Sequence, residues 1–347
     1  MTLTKRDLVT RISDETGLVQ QQVLRVLRGE EGALEEAARA TARVIPVFER
    51  HEDDLGLCHA RRLEAWLFWN EARAEAAAAA WERAAAHARR AGDRHGYYES
   101  LTWIASSLWF GPTPAAEGIR RCEAMRAEVR ESPESEAAIL RHLACLNAIV
   151  GRFAVARELL ATSNATYADL GLTLRLASSD HEAVVEVLAG NPAAAETSVR
   201  AAYRALEEMG ERAFRSTMAA TLGLVILEQG RDEEAEALAE VSARLGATGD
   251  LLTQIRWRRV RARVLARRAE IPAAEALARE ALAIAEATDF VNERADALID
   301  LSHVLEASRR RDEAVAAASG ALDLYELKGN AVAAAAARLR LSELTRV

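Results

Sequence analysis

The stretch Gly230–Gly249, GRDEEAEALAEVSARLGATG, sets the pattern from which the rest of the chain can be read. Asp232, Glu233 and Glu234 follow the glycine, where acids complement the dipole of a starting helix. Alanine and leucine then recur on one face, and glycine closes the run. The small residue Ala235 stands five positions after Gly230. The same arrangement pairs Gly151 with Ala156, Gly190 with Ala195, Ala269 with Ala274, and Arg309 with Ala314. The marker alanines from Ala156 to Ala314 are therefore 39, 40, 39 and 40 residues apart. Read backwards, Gly111 leads to Ala116, Glu71 leads to Ala76, and Ala37 lies 39 residues earlier. A fixed period of this size implies stacked helical units, each burying its apolar face against its neighbours.

Composition agrees with helices. Half of the 347 residues are hydrophobic, mostly alanine and leucine, and six prolines interrupt them. A net charge of −8 argues against a nucleic-acid-binding surface along the whole chain. Cys58, Cys122 and Cys145 are odd in number and far apart, as expected of small buried residues in a reducing compartment. No apolar run is long enough for a membrane span, and MTLTKRDLVT has no apolar signal region, so a cytoplasmic location is expected.

Paired helices are expected from Glu30 onward. LTLRLASSDHEAVVEVLAG is read as one first helix and NPAAAETSVRAAYRALEEMG as its partner. Pro112 and Pro114 flank another turn, at helix-start positions. NAVAAAAARLRLSELTRV closes the array, with Arg338 and Arg340 as the polar outer face that an exposed end requires. Small residues sit seven before and five after the turn glycine: Gly223 and Ala235 around Gly230, Ala144 and Ala156 around Gly151, Ala183 and Ala195 around Gly190. This resembles the tetratricopeptide repeat, whose antiparallel helices cross closely where side chains are short. The period departs from about 34 residues, and the proline after the second helix is missing. The resemblance implies an all-α, right-handed α-α superhelix, a solenoid of about eight helical hairpins over residues 30–347. Longer helices imply a wider superhelix.

GPTPAAEGIRRCE, GRFAVARELL, WRRVRARVLARRAEIPAAEALARE, ATDFVNERADAL and LYELKGNAVAAAAARL resemble a further group. They look like the C-terminal repeat region of large bacterial regulators that carry an adenylate/guanylate cyclase-type or winged-helix (LuxR-type) head and an AAA-type ATPase. The resemblance covers residues 35–347. It implies a non-enzymatic sensor or scaffold whose partner is a protein, an acidic peptide, or such an ATPase or cyclase head. The alternative is a repeat domain sensing a small-molecule inducer.

Residues 1–28 differ. TKRDLVTRISDETGLVQQQV resembles the opening helical hairpin of the bacterial HU/IHF histone-like family. There the hairpin forms a dimer core, while a β-sheet and its arms contact DNA. No such sheet follows here, so DNA binding through the hairpin is the weaker reading. A cap on the first repeat, a dimerising tip or a grafted segment are the others.

No G-x-x-x-x-G-K-[ST], H-E-x-x-H, C-x-x-C or G-x-S-x-G occurs, so no catalytic residue, cofactor or metal ligand is assigned. Two candidate partner-binding features stand out. Aromatic residues crowd into neighbouring first helices, and the repeat register points Phe68, Trp69, Tyr98 and Trp109 toward the inner groove, with Trp103 in the core. The alternative is core filling. Arg256, Arg259, Arg263 and Arg267 form one helical stripe, spaced 3, 4 and 4. The stripe either recognises an acidic peptide, a carboxylate or a phosphate, or is neutralised from within by Asp296, Glu306 and Asp180. Arg141 joins these as a partner-binding candidate.

Overall fold

The computed structural model describes residues 33–346. The hairpin expected at 1–28 lies outside them. Among the described residues there are helices and no strand. The chain divides into two compact units, Met1–Ser107 and Leu108–Val347. The first contains α1 (Ala33–Arg50), α2 (Asp54–Asn70), α3 (Ala74–Ala91) and most of α4 (Arg94–Phe110). The second contains α5 (Ala115–Glu128), α6 (Pro133–Ile149), α7 (Phe153–Asp169), α8 (Thr173–Ala177), α9 (His181–Leu188), α10 (Pro192–Glu208) and α11 (Ala213–Leu227). It continues with α12 (Asp232–Leu245), α13 (Leu251–Arg267), α14 (Ile271–Glu286), α15 (Val291–Ala307), α16 (Arg311–Lys328) and α17 (Ala331–Thr345).

The period has a backbone cause. Most of the hairpins turn through one residue in the left-handed region, which glycine enters without strain. Gly151, Gly190 and Gly230 do so, and Ala269 and Arg309 occupy the same place at φ of 63° and 61°. Five residues on, Ala156, Ala195, Ala235, Ala274 and Ala314 are fully buried. The crossing leaves no space. A Cβ on Gly223 would lie 3.3 Å from both the Ala235 main-chain oxygen and Val260 Cγ2.

Two markers shift. The left-handed residue of the α2–α3 turn is Ala72, not Glu71, so the buried marker is Ala77 and not Ala76. Ala116 is exposed, whereas Ala115 and Gly118 are buried. Pro114, at φ −58°, precedes α5 in an extended conformation, and Gly111 takes no left-handed turn. The prolines thus replace the glycine turn and move the helix start by one residue.

Two other expectations are corrected. The first helix read through LTLRLASSDHEAVVEVLAG is broken into α8 and α9. Ser178, Ser179 and Asp180 interrupt it, residue types that compete with helical hydrogen bonds through their own side chains. Arg340 is not part of a polar outer face: it reaches inward to Glu306 at 2.7 Å, and Leu339 is 68% exposed instead. Within the second unit, segments far apart in sequence meet. Lys328 reaches the Leu108–Thr113 segment, Phe110 packs on Phe290 at 4.8 Å between ring centroids, and α17 packs against α6. The last hairpin of this unit therefore returns to its beginning. No helix among the described residues is long and apolar enough to cross a membrane.

Candidate functional site

In the first unit the aromatic residues form one body. Trp81 on the second helix α3 is fully buried. Trp66 on α2 and Trp103 on α4 pack on it at 6.0 and 6.1 Å, and on each other at 4.3 Å. Trp69 joins at 5.5 Å from Trp103. Trp66, Trp69 and Trp103 each keep part of their surface exposed. Trp103 is therefore not a core residue but a link between the core and a face. Phe68 and Tyr98 flank that face, half-buried, with the guanidiniums of Arg73 and Arg94 over their rings at 4.8 and 5.7 Å. Rigid indoles on a buried anchor cost little side-chain entropy to engage, and their edges favour apolar partners. Trp109 is apart from this group: it belongs to the second unit and is buried beside Phe110.

In the second unit the arginine stripe faces carboxylates. Arg256 is 7% exposed and donates to Glu293 Oε1 at 2.6 Å and to Asp180 Oδ2 at 2.6 Å, and Thr221 Oγ1 accepts a third bond. Arg259 is 8% exposed and donates to Asp300 Oδ2 at 2.6 Å and to Glu293 Oε2 at 3.2 Å, with Asp296 Oδ2 at 3.3 Å. Arg263 pairs with Glu228 and lies 3.6 Å from Asp300. Arg267 pairs with Asp232 and donates to the Leu227 carbonyl. Glu306 turns away to Arg340. Burial pushes these guanidiniums down, but the carboxylates beside them outweigh it and hold Arg256 and Arg259 above the usual arginine range. Burial also raises Asp296, which accepts a hydrogen bond from the Tyr325 hydroxyl.

Beside the stripe, His181 Nε2 lies 3.2 Å from His142 Nδ1, and Ser179 Oγ lies 3.0 Å from His181 Nδ1. Burial lowers both imidazoles, His181 to about 4, so both are neutral at pH 7. Arg141 is 6% exposed and lies over the Tyr167 ring at 4.3 Å. Its guanidinium donates to the Arg175 carbonyl at 2.6 Å and to Asn164 Oδ1 at 3.3 Å.

Glu293, Asp300 and Lys328 carry much of this geometry and are not among the residues singled out from the sequence. The acids had a signal: 293, 296 and 300 repeat the 3 and 4 spacing of 256, 259 and 263 on the next first helix, 37 residues later. All three cysteines are buried and free, and burial pushes the Cys58 thiol up to about 12. Among the described residues, no group of three or more His, Cys, Asp or Glu could hold a metal ion.

No family model and no curated protein matches the sequence. Among solved structures, the APC/C hetero-tetramer Cut9–Hcn1 is similar to this chain, with a TM-score of 0.63 over 97% of it at 15% identity. The fold is a tetratricopeptide-like, all-α helical repeat. Yeast Tom70 gives a TM-score of 0.44 over 93% of the chain at 14% identity. The chain spans 59% of the length of the first structure and 64% of the second. At these identities the likeness concerns the fold alone.

Proposed function

We propose that this chain is a non-catalytic protein-interaction module that takes a partner segment on the first-helix face of its first unit. The observation that carries the reading is the partly exposed cluster Trp66, Trp69 and Trp103, seated on buried Trp81. Tryptophan, tyrosine and arginine dominate the binding energy of protein interfaces. The chemistry fits a segment with an apolar side chain for the indoles. Cut9, of similar fold, is seen in a hetero-tetramer with Hcn1. The resemblance of residues 35–347 to the repeat region of bacterial regulators supports a partner in signal transduction, such as an ATPase or cyclase head.

The test is a peptide library screened against the full chain by tryptophan fluorescence. Trp69→Ala and Tyr98→Ala are expected to remove binding of the selected peptides while leaving the helical circular dichroism unchanged. Selected peptides that bind both folded variants as they bind the wild type would refute the assignment, as would the absence of any binding peptide.

A further inference from the structure

The arginine stripe of the second unit is occupied, and one occupant comes from a distance. Glu293, which holds Arg256 and Arg259, lies on the next first helix, α15. Asp180 instead reaches Arg256 from two repeats away. It stands in the break between α8 and α9, precedes α9 as its N-cap, and makes no side-chain capping bond there. Burial pushes the Asp180 carboxyl up, but Arg256 and His181 outweigh it, and the group is held below the usual range as a carboxylate. An interrupted helix thus delivers one charged carboxylate to a guanidinium. An acidic side chain from another molecule would make the same contact.

The Asp180–Arg256 pair ties together repeats two apart, and Lys328 ties the last hairpin of the unit to its first residues. Its ammonium is fully buried and donates to the carbonyls of Leu108, Gly111 and Thr113 at 2.7, 2.6 and 3.0 Å. The chain has 45 basic residues, of which only Lys5 and Lys328 are lysines. Elsewhere the charge is carried by planar guanidinium. Three converging carbonyls instead suit a compact ammonium with three donors. Leu108 is in the last turn of α4, where carbonyls have no helical partner and a cation complements the dipole. Gly329 beside it turns the chain in the left-handed region, at φ 73°.

We propose that the second unit is an autoinhibited surface for an acidic protein segment. Asp180 is the internal stand-in for the partner's carboxylate at Arg256, and Lys328 is the latch that keeps the unit closed. Because each repeat packs mainly on its neighbours, α16 and α17 can leave the Leu108–Thr113 segment while the preceding hairpins stay folded. The carbonyls and Lys328 then go to water, the closure relaxes, and Arg256 keeps Glu293 but exchanges Asp180 for the acidic partner. This proposal does not depend on the aromatic face of the first unit.

The experiment uses the full chain, fluorescein-labelled decaglutamate as probe, and acetylation of the Lys328 amine read by mass spectrometry. Asp180→Asn is expected to raise decaglutamate affinity by about tenfold or more, as for close charge pairs at interfaces. Adding Arg256→Gln should abolish that gain. In the wild type, saturating decaglutamate should accelerate Lys328 acetylation. A folded Asp180→Asn variant that binds no better than wild type would overturn the proposal. If that variant does not fold, the wild-type acetylation decides: an unchanged rate with saturating peptide overturns it equally.

Discussion

Arg259→Met probes how much the buried ion-pair network holds the second unit together. Methionine keeps most of the apolar stem and removes the charge. The loss leaves Asp300, with a side chain only 3% exposed, beside Arg263 at 3.6 Å, and it removes the second cation from Glu293. Breaking a buried pair by deleting one partner costs about 3–5 kcal/mol, because a carboxylate is left without compensation. Asp296, already raised by burial, takes up a proton more readily than an ordinary carboxylate and absorbs part of the change. The expected cost is therefore near the lower end, about 3 kcal/mol. At about 2–4 °C per kcal/mol for a unit of this size, the melting temperature falls by roughly 6–12 °C. Thermal melts followed by circular dichroism at pH 7 measure it. The companion variant Arg259→Met with Asp300→Leu should recover much of the loss, since replacing a whole buried pair by apolar groups is often neutral. A single variant that melts within about 1 °C of wild type would refute the reasoning, because a paired buried charge cannot be deleted at so small a cost.

Gly223→Leu forces a side chain against the Ala235 oxygen and Val260, and should cost about 1–3 kcal/mol by overpacking; an unchanged unfolding midpoint contradicts the close crossing. Ala269→Gly relieves a left-handed alanine and, after the greater freedom of the unfolded chain is deducted, should stabilise by about 0.5–1 kcal/mol in urea titrations. Glu196 is held down to about 2, first by its hydrogen bond from Arg231 and then by Arg200 and Gln229. A depressed carboxylate stabilises fully above its unfolded value, near 4.5, and loses that contribution as pH falls toward 2. Glu196→Gln should therefore be less stable than wild type at pH 6 and converge on it near pH 2, as read from urea midpoints across that range.

The repeat was legible because its cause is local. A left-handed turn residue and a small residue five positions later are both dictated by one close crossing, so they recur in the sequence wherever the crossing does. Where proline replaced glycine, at 112 and 114, the register slipped by one. Where alanine stood at the turn, Ala72 was hidden beside Glu71, since φ leaves no trace in residue type. The stripe of arginines was legible by its spacing. Its partner Glu293 was not singled out, although it lies on the next first helix in a run of matching spacing. Asp180 was named as a possible neutraliser, but not the helix break that delivers it across two repeats. Lys328 shows no role within LYELKGN, because its three acceptors are main-chain carbonyls some 215–220 residues earlier. Long-range closure of this kind has no local pattern to read.

Hydrogen exchange of the full chain, with and without a peptide selected by the tryptophan screen, tests the interaction reading most directly. The account predicts slowed exchange confined within the first unit to α2 and to the part of α4 that carries Tyr98 and Trp103, with α3 unchanged. Protection of α3 without α2 and α4, or no protection in the first unit at a saturating peptide concentration, would contradict it.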